Sequence, residues 1–225
     1  MKFGLLKLKY IYRLMQFGKL YKRFSEYTMI PEDEYIRNLF LAKKAETVEG
    51  VIVECGVWRG GMIGGIAKLL GPQKKYYLFD SFDGLPLAKD IDGEEAFKWQ
   101  SEKESSYYFD NCKAEIDFAQ KVMNLALGKI SNNTFFIKGW FNETMNEDNF
   151  NESISLLRLD GDWYESTMTC LNFLFPKVVT GGIIIIDDYH TWEGCTKAIH
   201  DYLSKNNRPE RICQFENRTA YLIKR

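Results

Sequence analysis

The sequence predicts an α/β fold in which a mainly parallel sheet carries helices on both faces and the chain ends in an antiparallel hairpin. Short runs of apolar, β-branched and aromatic residues alternate with helical stretches, which is typical of parallel strands joined by crossover helices. The final segment, residues 211–225, instead predicts two strands joined by the turn ENRT. The chain has 225 residues and is 45% hydrophobic, which is enough for one such domain and its core.

The elements are predicted in the following order. Residues 2–24 and about 32–47 form two helices, and Pro31 opens the second. Five strands follow, and the hairpin brings the sheet to seven strands. The five strands are GVIVECGVW, KKYYLFDSF, NTFFIKGW, SISLLRLDGD and GIIIIDDY. The later helices are MIGGIAKLLG, residues 113–127, STMTCLNFLFP and residues 193–205. Residues 87–112 lack periodicity and predict a loop or short helices, which makes them a candidate lid.

Residues 1–27 predict a basic amphipathic helix ahead of the main domain, residues 28–225. Seven Lys and Arg residues precede the first acid, Glu26. Apolar residues recur at steps of three and four, at Leu6, Tyr10, Leu14, Phe17, Tyr21 and Phe24. Such a helix packs on its own domain or a dimer partner, or it lies on a membrane surface that carries anionic lipid. We favour packing on protein, because wide aromatic faces are more typical of it.

Composition excludes several classes of protein. The formal net charge of -1 argues against a general nucleic-acid-binding surface. The five cysteines form no C-x-x-C pair and only two histidines are present, so no zinc site is expected. We therefore expect reduced thiols in a cytoplasmic protein. Neither a secretory leader nor a spanning helix is expected, because charges interrupt the N-terminal apolar residues every few positions.

Acidic residues stand at the ends of four of the five strands: Glu54 after the first, Asp80 after the second, Asp160 after the fourth, and Asp187 and Asp188 after the fifth. The carboxyl ends of parallel strands share one rim of the sheet, and ligands bind there. Five carboxylates on one rim need a cation, an ammonium group or a polyol to balance them. The adjacent pair after four isoleucines is costly to bury, and we infer that a cation neutralises it. Both can face one ion only if the strand breaks, and the following YHTWEG supplies that break.

The turn after the first strand, VECGVWRGG, predicts a nucleoside site without a pyrophosphate. A dinucleotide fingerprint that starts at Gly56 would need glycine at the position of Trp58. The sequence has no P-loop motif either. Asp80 ends the second strand about 20 residues later, where an acid can bind both ribose hydroxyls. A ribose without a pyrophosphate points to S-adenosylmethionine.

Four motifs make the chain recognisable: DSFDGLP, KGWF, LDGDWYEST and IDDY. In this order and spacing they resemble the macrocin and mycinamicin O-methyltransferase family, which includes the novobiocin-sugar 4-O-methyltransferase. The likeness covers residues 28–203. It implies a Rossmann-like class I methyltransferase, often dimeric, that uses S-adenosylmethionine and magnesium to methylate a sugar hydroxyl.

The resemblance also implies roles for individual residues. Asp162 would be the general base, and the metal ligands would be Asp160, Asp187 and Asp188. Catechol-type enzymes carry a lysine near this point, where this chain has Trp163, so deprotonation by lysine does not transfer. The implied cofactor residues, with Asp80 at the ribose and the last three near the adenine, are Glu54, Gly56, Val57, Trp58, Gly60, Gly61, Asp80, Ser81, Gly139, Trp140 and Phe141.

Several alternatives remain open at the sequence level. Asp188 could turn away and cap the next segment, which would leave two metal ligands, and His190 is a second candidate base. The acceptor could be a sugar of a natural product or of a surface glycan, free or lipid-linked. The chain could instead methylate a phenol or catechol, or serve as a non-catalytic cofactor-binding scaffold. Aromatic residues that would line an acceptor pocket, or pack in the core, are Trp58, Trp99, Tyr107, Tyr108 and Tyr164.

Overall fold

The computed structural model describes residues 2–128 and 132–225, with side chains from residue 10 onward. The strands are β1 (Val51–Cys55), β2 (Tyr76–Asp80), β3 (Thr134–Lys138), β4 (Ile154–Leu159), β5 (Val178–Ile186), β6 (Cys213–Phe215) and β7 (Thr219–Ile223). They form one sheet in the order β3-β2-β1-β4-β5-β7-β6. The first five run parallel, whereas β7 pairs antiparallel with β5 and β6. The predicted seven-stranded, mostly parallel sheet is confirmed.

Helices cover both faces of this sheet. They are α1 (Lys2–Phe24), α2 (Glu32–Lys44), α3 (Gly61–Leu70), α4 (Glu94–Ser101), α5 (Ile116–Leu127), α6 (Phe141–Thr144), α7 (Tyr164–Leu174) and α8 (Glu193–Lys205). α1, α2, α3 and α5 pack on one face, and α7 and α8 pack on the other. The predicted helices of the central region are all present, and α2 and α5 each differ from prediction by a few residues at one end.

The four isoleucines of β5 show why this strand is apolar at every position. Ile183 and Ile185 enter the core under α2 and α3, whereas Ile184 and Ile186 enter the core under α7 and α8. All four side chains are at most 2% exposed. Side chains alternate between faces along a strand, so a strand covered on both faces has no polar position.

β5 is longer than predicted and begins at Val178, which pairs with Ile154 of β4. The pairing then changes register before Ile183. Gly181 lies between the two registers at φ +82°, a backbone conformation that glycine adopts without strain. The sequence pattern placed the start at Gly182, because a glycine pair normally ends a strand.

The described side chains of α1 pack on the chain's own domain. Phe17 and Phe24 are at most 2% exposed, and the ring of Phe40 in α2 contacts Tyr10 at 5.3 Å and Phe17 at 4.8 Å between centroids. The predicted apolar position Leu6 and the first three lysines lie outside the described side chains. The opposite side of α1 carries exposed apolar residues such as Tyr12. Among the residues described, no helix is both long enough and apolar enough to cross a membrane.

Candidate active site

The carboxyl ends of β1, β2, β4 and β5 open onto a cavity of about 780 Å³. This is the edge at which parallel sheets of this kind bind ligands. Of the residues predicted for catalysis, cofactor binding or metal binding, Gly60 and His190 do not line the cavity. Those that do line it are Glu54, Gly56, Val57, Trp58, Gly61, Asp80, Ser81, Gly139, Trp140, Phe141, Asp160, Asp162, Asp187 and Asp188.

The glycine turn between β1 and α3 is held by Asp80 at the end of β2. One carboxylate oxygen of Asp80 accepts the backbone N–H groups of Val57 at 2.6 Å and Trp58 at 2.8 Å, and the other accepts that of Phe82 at 2.6 Å. Burial raises the pKa of Asp80, although these three bonds favour its charged form. Asp80 therefore shapes the turn, and its two oxygens retain further acceptor capacity towards the cavity.

Gly56 permits the close approach of β1 to β4. It has φ +86°, and a Cβ atom there would lie 1.7 Å from the backbone oxygen of Asp160. A side chain at this position would therefore displace Asp160 from the site. Glycine at position 56 thus contributes to the acid cluster as well as to the turn.

Asp160, Asp187 and Asp188 each offer one carboxylate oxygen within 4.8 Å of the others. β5 ends at Ile186, and a 3-10 turn, Asp187–His190, follows at once. This break lets two consecutive acids turn towards the same point, as the sequence pattern required. All three donors are carboxylate oxygens, the ligand type that magnesium prefers. The residues present therefore fit a magnesium ion, and Asp188 belongs to the cluster.

A buried arginine lies directly beneath these acids. The guanidinium of Arg158 is 1% exposed and pairs with Glu54 at 3.1 Å, Asp160 at 2.7 Å and Asp187 at 2.5 Å. Its Nε donates to the Asn38 side chain at 3.1 Å. Arg158 is thus a resident cation that makes the acid cluster tolerable. The sequence analysis missed it, although a lone arginine within the buried strand SISLLRL was a visible signal.

The acids remain short of positive charge. Burial raises the pKa of Glu54 to about 8 and that of Asp187 to about 6, although Arg158 opposes both shifts. Burial, and then the neighbouring Asp162, place the pKa of Asp188 well above its usual value. Burial is the first cause of each shift and the neighbouring carboxylates add to it, so Arg158 offsets only part of the cost of holding these acids charged.

Asp162 sits in a strained turn between β4 and α7. Its φ is +56°, which is uncommon for a residue other than glycine, and such strain collects at functional sites. The indole N–H of Trp192 donates to its carboxylate at 2.8 Å, and its own backbone N–H donates to Asp188 at 3.1 Å. Burial, followed by the charge of Asp160, raises the pKa of Asp162 well above the usual value. Its carboxylate is therefore fixed in orientation beside the acid cluster.

Three tryptophans, Trp99, Trp163 and Trp192, form an aromatic wall beside Asp162. Their ring centroids lie 5.1 to 6.2 Å apart. Trp163 is buried and donates its indole N–H to the backbone oxygen of Pro86 at 2.9 Å. Sequence reasoning singled out Trp99 for the pocket but missed Trp192. This residue contacts the site through Asp162, which lies 30 positions earlier in the sequence.

The candidate lid, residues 87–112, contains a 3-10 turn, Asp90–Asp92, and helix α4. Asp92 joins it to the body of the protein by accepting the backbone N–H groups of Lys89 at 2.8 Å and Tyr164 at 2.7 Å. Its exposed members that line the cavity are the apolar Leu87, Tyr107 and Phe109 and the charged Lys89, which pairs with Glu165. The segment therefore borders the site with short helices and a fixed anchor point.

Besides Gly60, three predicted residues do not line the cavity: His190, Tyr108 and Tyr164. His190 is exposed at the end of the 3-10 turn, against the ring of Tyr189, while the next residues, Thr191 and Trp192, take the cavity side. The structure thus does not bring His190 to the site. Tyr164, predicted for the acceptor pocket, points its hydroxyl to Asp201 of α8 at 3.1 Å instead.

Comparison with known proteins agrees with this architecture. Residues 23–224 match the family described as Macrocin-O-methyltransferase (TylF). The mycinamicin III 3''-O-methyltransferase of Micromonospora griseorubida is 31% identical over 179 residues, which cover 77% of this chain and 68% of the relative. The 8-demethyl-8-(2,3-dimethoxy-alpha-L-rhamnosyl)-tetracenomycin-C 4'-O-methyltransferase of Streptomyces olivaceus is 30% identical over 177 residues, 76% of this chain and 65% of the relative.

The chain thus spans about two thirds of the length of these two relatives. Among solved structures, the O-methyltransferase NovP superposes with a TM-score of 0.69 at 27% identity, over 88% of this chain and 82% of NovP. The sheet order, the cavity and the family match agree with one another. The chain belongs to the macrocin O-methyltransferase (TylF) family and has the Rossmann-like class I methyltransferase fold.

Proposed function

We propose that this protein transfers a methyl group from S-adenosylmethionine to a sugar hydroxyl, with the help of a magnesium ion. One observation carries the proposal: the glycine turn and the acid cluster open onto the same cavity. Family membership supports O-methyl transfer, and the name of one relative specifies a rhamnosyl compound. The acceptor hydroxyl then lies between a cofactor site and a metal site.

The cofactor would lie along the ends of β1 and β2. The turn from Glu54 to Gly61 would hold its methionine part, Asp80 its ribose, and Gly139 to Phe141 its adenine. When bound, it supplies the methyl group on a positively charged sulfur. The acidic residues that line the cavity suit this positive charge, since opposite charges attract strongly in a partly buried cavity.

Asp160, Asp187 and Asp188 would hold the magnesium ion. When bound there, the ion supplies Lewis acidity that lowers the pKa of a sugar hydroxyl. Arg158 keeps Asp160 and Asp187 oriented towards this point from below. These two ion pairs would help to hold Asp160 and Asp187 in position as ligands.

Asp162 would receive the proton of the acceptor hydroxyl as general base. Trp192 and the strained backbone hold its carboxylate in position. The aromatic wall would orient the sugar, so that the hydroxyl oxygen faces the methyl group. Orientation of the two reactants accounts for much of the rate in such a reaction.

Isothermal calorimetry and product analysis test the proposal together. S-adenosylmethionine should bind to the purified protein, and a panel of sugar acceptors should yield S-adenosylhomocysteine in the presence of magnesium. Exhaustive chelation should abolish turnover, and Mn²⁺ should give anomalous scattering at the three aspartates in crystals. Full activity after chelation would contradict the role of the metal.

The dependence of the methylation rate on the pKa of the acceptor hydroxyl distinguishes a phenol or catechol acceptor from a sugar. A non-catalytic scaffold protein would bind S-adenosylmethionine but form no methylated product. Dimerisation, a cytoplasmic location and contact of α1 with membranes or lipid-linked glycans stay predictions.

A further inference from the structure

One side of α1 presents apolar and basic side chains together to solvent. Ile11 is 45% exposed, Tyr12 61% and Met15 62%. Lys19 and Lys22 are exposed as well, and they follow Met15 at steps of four and seven residues, which places them on the same side of the helix. We call these five residues the outer face of α1. Apolar side chains grouped at the surface in this way mark an interaction site.

The other side of α1 is already used by the fold. Phe17 and Phe24 are buried in the core that α1 shares with α2 and α3. Tyr10 stacks on Phe40 and donates its hydroxyl to Glu216 at 2.7 Å. None of the five residues of the outer face belongs to this core. The helix is therefore held in place by its inner side, and its outer face is left for a partner.

Positive charge is concentrated on this helix. The whole chain has 30 Lys and Arg against 31 Asp and Glu, and residues 1–25 hold seven of the basic residues and none of the acids. Residues 26–225 therefore have a formal net charge of -8. Among the described residues, Arg13, Lys19 and Lys22 form no ion pair. Their charges remain available to an anionic partner.

The composition of the outer face decides between three kinds of partner. A stable interface between two proteins uses roughly 20–30 residues on each side, whereas nine of the described residues of α1 are exposed. A nucleic acid is bound by basic residues and does not require exposed aliphatic ones beside them. Apolar side chains next to lysines, with no acid among them, are typical of a helix that lies in the interface of an anionic bilayer.

We propose that the outer face of α1 docks this enzyme on a membrane surface that carries anionic lipid. Ile11, Tyr12 and Met15 enter the boundary between headgroups and acyl chains, and Lys19 and Lys22 contact the lipid phosphates. None of these five residues lines the cavity. The docking therefore does not depend on which acceptor the enzyme methylates, and it is tested without any measurement of activity.

Sedimentation of the full chain with vesicles tests the proposal. One set of vesicles contains phosphatidylcholine alone, and the other contains equal parts of phosphatidylcholine and phosphatidylglycerol. We expect the partition coefficient to be at least about tenfold higher for the anionic vesicles, and to fall as salt is added. Absence of binding to the anionic vesicles, or equal binding to both sets, would overturn the proposal.

Matched charge variants locate the contact on the helix. Lys19→Gln combined with Lys22→Gln should lower the partition coefficient for anionic vesicles at least about fivefold. Lys103→Gln combined with Lys205→Gln removes the same charge at exposed lysines outside α1 and should leave partition unchanged. Circular dichroism should give the same melting curve for both variants and the wild type. Equal losses in the two variants would contradict the assignment of the contact to α1.

Apolar variants separate a membrane from the other partners. Ile11→Ser combined with Met15→Ser should lower the partition coefficient at least about threefold, because it removes apolar area from the contact. If only the lysine variant loses binding, the helix binds polyanions by charge alone and the proposal fails. Light scattering gives the molar mass of each variant in solution. A lower molar mass in the apolar variant with unchanged vesicle binding would assign the face to a second copy of the chain instead.

Discussion

Arg158 brings a permanent positive charge under three carboxylates in a strand that is otherwise almost wholly apolar. Burial disfavours its charge, but Asp160, Asp187 and Glu54 raise the pKa of Arg158 well above its ordinary value. It therefore stays charged under all conditions in which the protein folds. No single element supplies all of its partners: Glu54 lies in β1, Asp160 directly after β4, and Asp187 in the turn after β5.

Replacement of Arg158 should strongly destabilise the folded protein. Arg158→Met leaves buried carboxylates uncompensated, and we expect a loss of about 3–5 kcal/mol in the free energy of unfolding at pH 7. Arg37→Met is the matched control, because Arg37 is also buried but its partner Asp33 is exposed, which limits its ion pair to about 1 kcal/mol or less. Urea denaturation measures both. Similar losses in the two variants would mean that the cluster does not depend on Arg158.

Asp162→Asn should separate catalysis from binding. Asparagine tolerates the left-handed backbone of this position and keeps an acceptor for Trp192, but it takes up no proton. We expect kcat to fall by about 10²–10⁴-fold, while calorimetry gives unchanged affinity for S-adenosylmethionine and for magnesium. Asp110→Asn, at an exposed residue with φ +52°, is the matched control and should be fully active. Retained turnover in Asp162→Asn would exclude this residue as the base.

The candidate lid is the element whose behaviour should depend on ligands. It is tied down at Asp92 but presents Lys98 and Lys103 to solvent as sites for trypsin. S-adenosylhomocysteine together with a sugar acceptor should slow cleavage at these lysines, because both ligands would occupy the cavity that the segment borders. Cleavage at Arg218, exposed in the hairpin turn, serves as the internal reference. If the ligands leave cleavage at Lys98 and Lys103 unchanged relative to cleavage at Arg218, residues 87–112 are not a lid.

The C-terminal hairpin is fixed by a buried acid, Glu210, just before β6. Arg208 donates to it at 2.5 and 3.1 Å, and the backbone N–H of Arg225 donates at 3.2 Å. Burial by itself raises the pKa of Glu210, but Arg208 holds it below the ordinary value. A carboxyl whose pKa is lower in the folded state stabilises the protein above its unfolded pKa, and this stabilisation disappears on acidification.

Glu210→Gln should therefore destabilise the protein in a pH-dependent way. At pH 7 we expect a loss of about 1–3 kcal/mol in the free energy of unfolding. The difference from wild type should shrink as the pH falls below about 4, where the wild-type carboxyl is protonated as well. Glu46→Gln, in an exposed pair with Lys43, should cost little at either pH. A difference that is constant from pH 7 to pH 3 would refute the linkage.

On the scale of the whole molecule, α1 and the sheet share one core. The ring of Phe24 packs over Gly64 of α3, where an added Cβ would lie 3.2 Å from it. The basic helix is therefore integrated with the methyltransferase fold along its described side chains. Any membrane contact would have to use its outer side, where Tyr12 and Met15 are exposed.

This shared core predicts that α1 unfolds together with the rest. Phe24→Ala should lower the free energy of unfolding by about 3–5 kcal/mol while preserving a single cooperative transition. Tyr12→Ala, on the exposed side of the same helix, should change it by less than about 0.5 kcal/mol. Urea unfolding followed by both circular dichroism and tryptophan fluorescence makes the measurement. A separate early transition for α1 would show an independent unit.

The local sequence pattern was enough to predict the helices and strands and to identify most of the acidic residues at the site. The isoleucines of β5 predicted a doubly covered strand, and Asp187 and Asp188 predicted a break and a charge that needed balancing. Both conclusions follow from residues adjacent in sequence. The predicted start of β5 was wrong, because the register shift near Gly181 depends on how β5 pairs with β4.

The sequence by itself determined the order of strands and helices and the gathering of acids on one rim, because periodicity and strand ends are local properties. Only the tertiary structure decided that Arg158 lies beneath those acids, that Trp192 holds Asp162, and that His190 faces away. Each of these depends on atoms contributed by separate strands and turns. These contacts depend on how the helices and turns pack on the sheet, and the spacing of residues along the chain does not predict them.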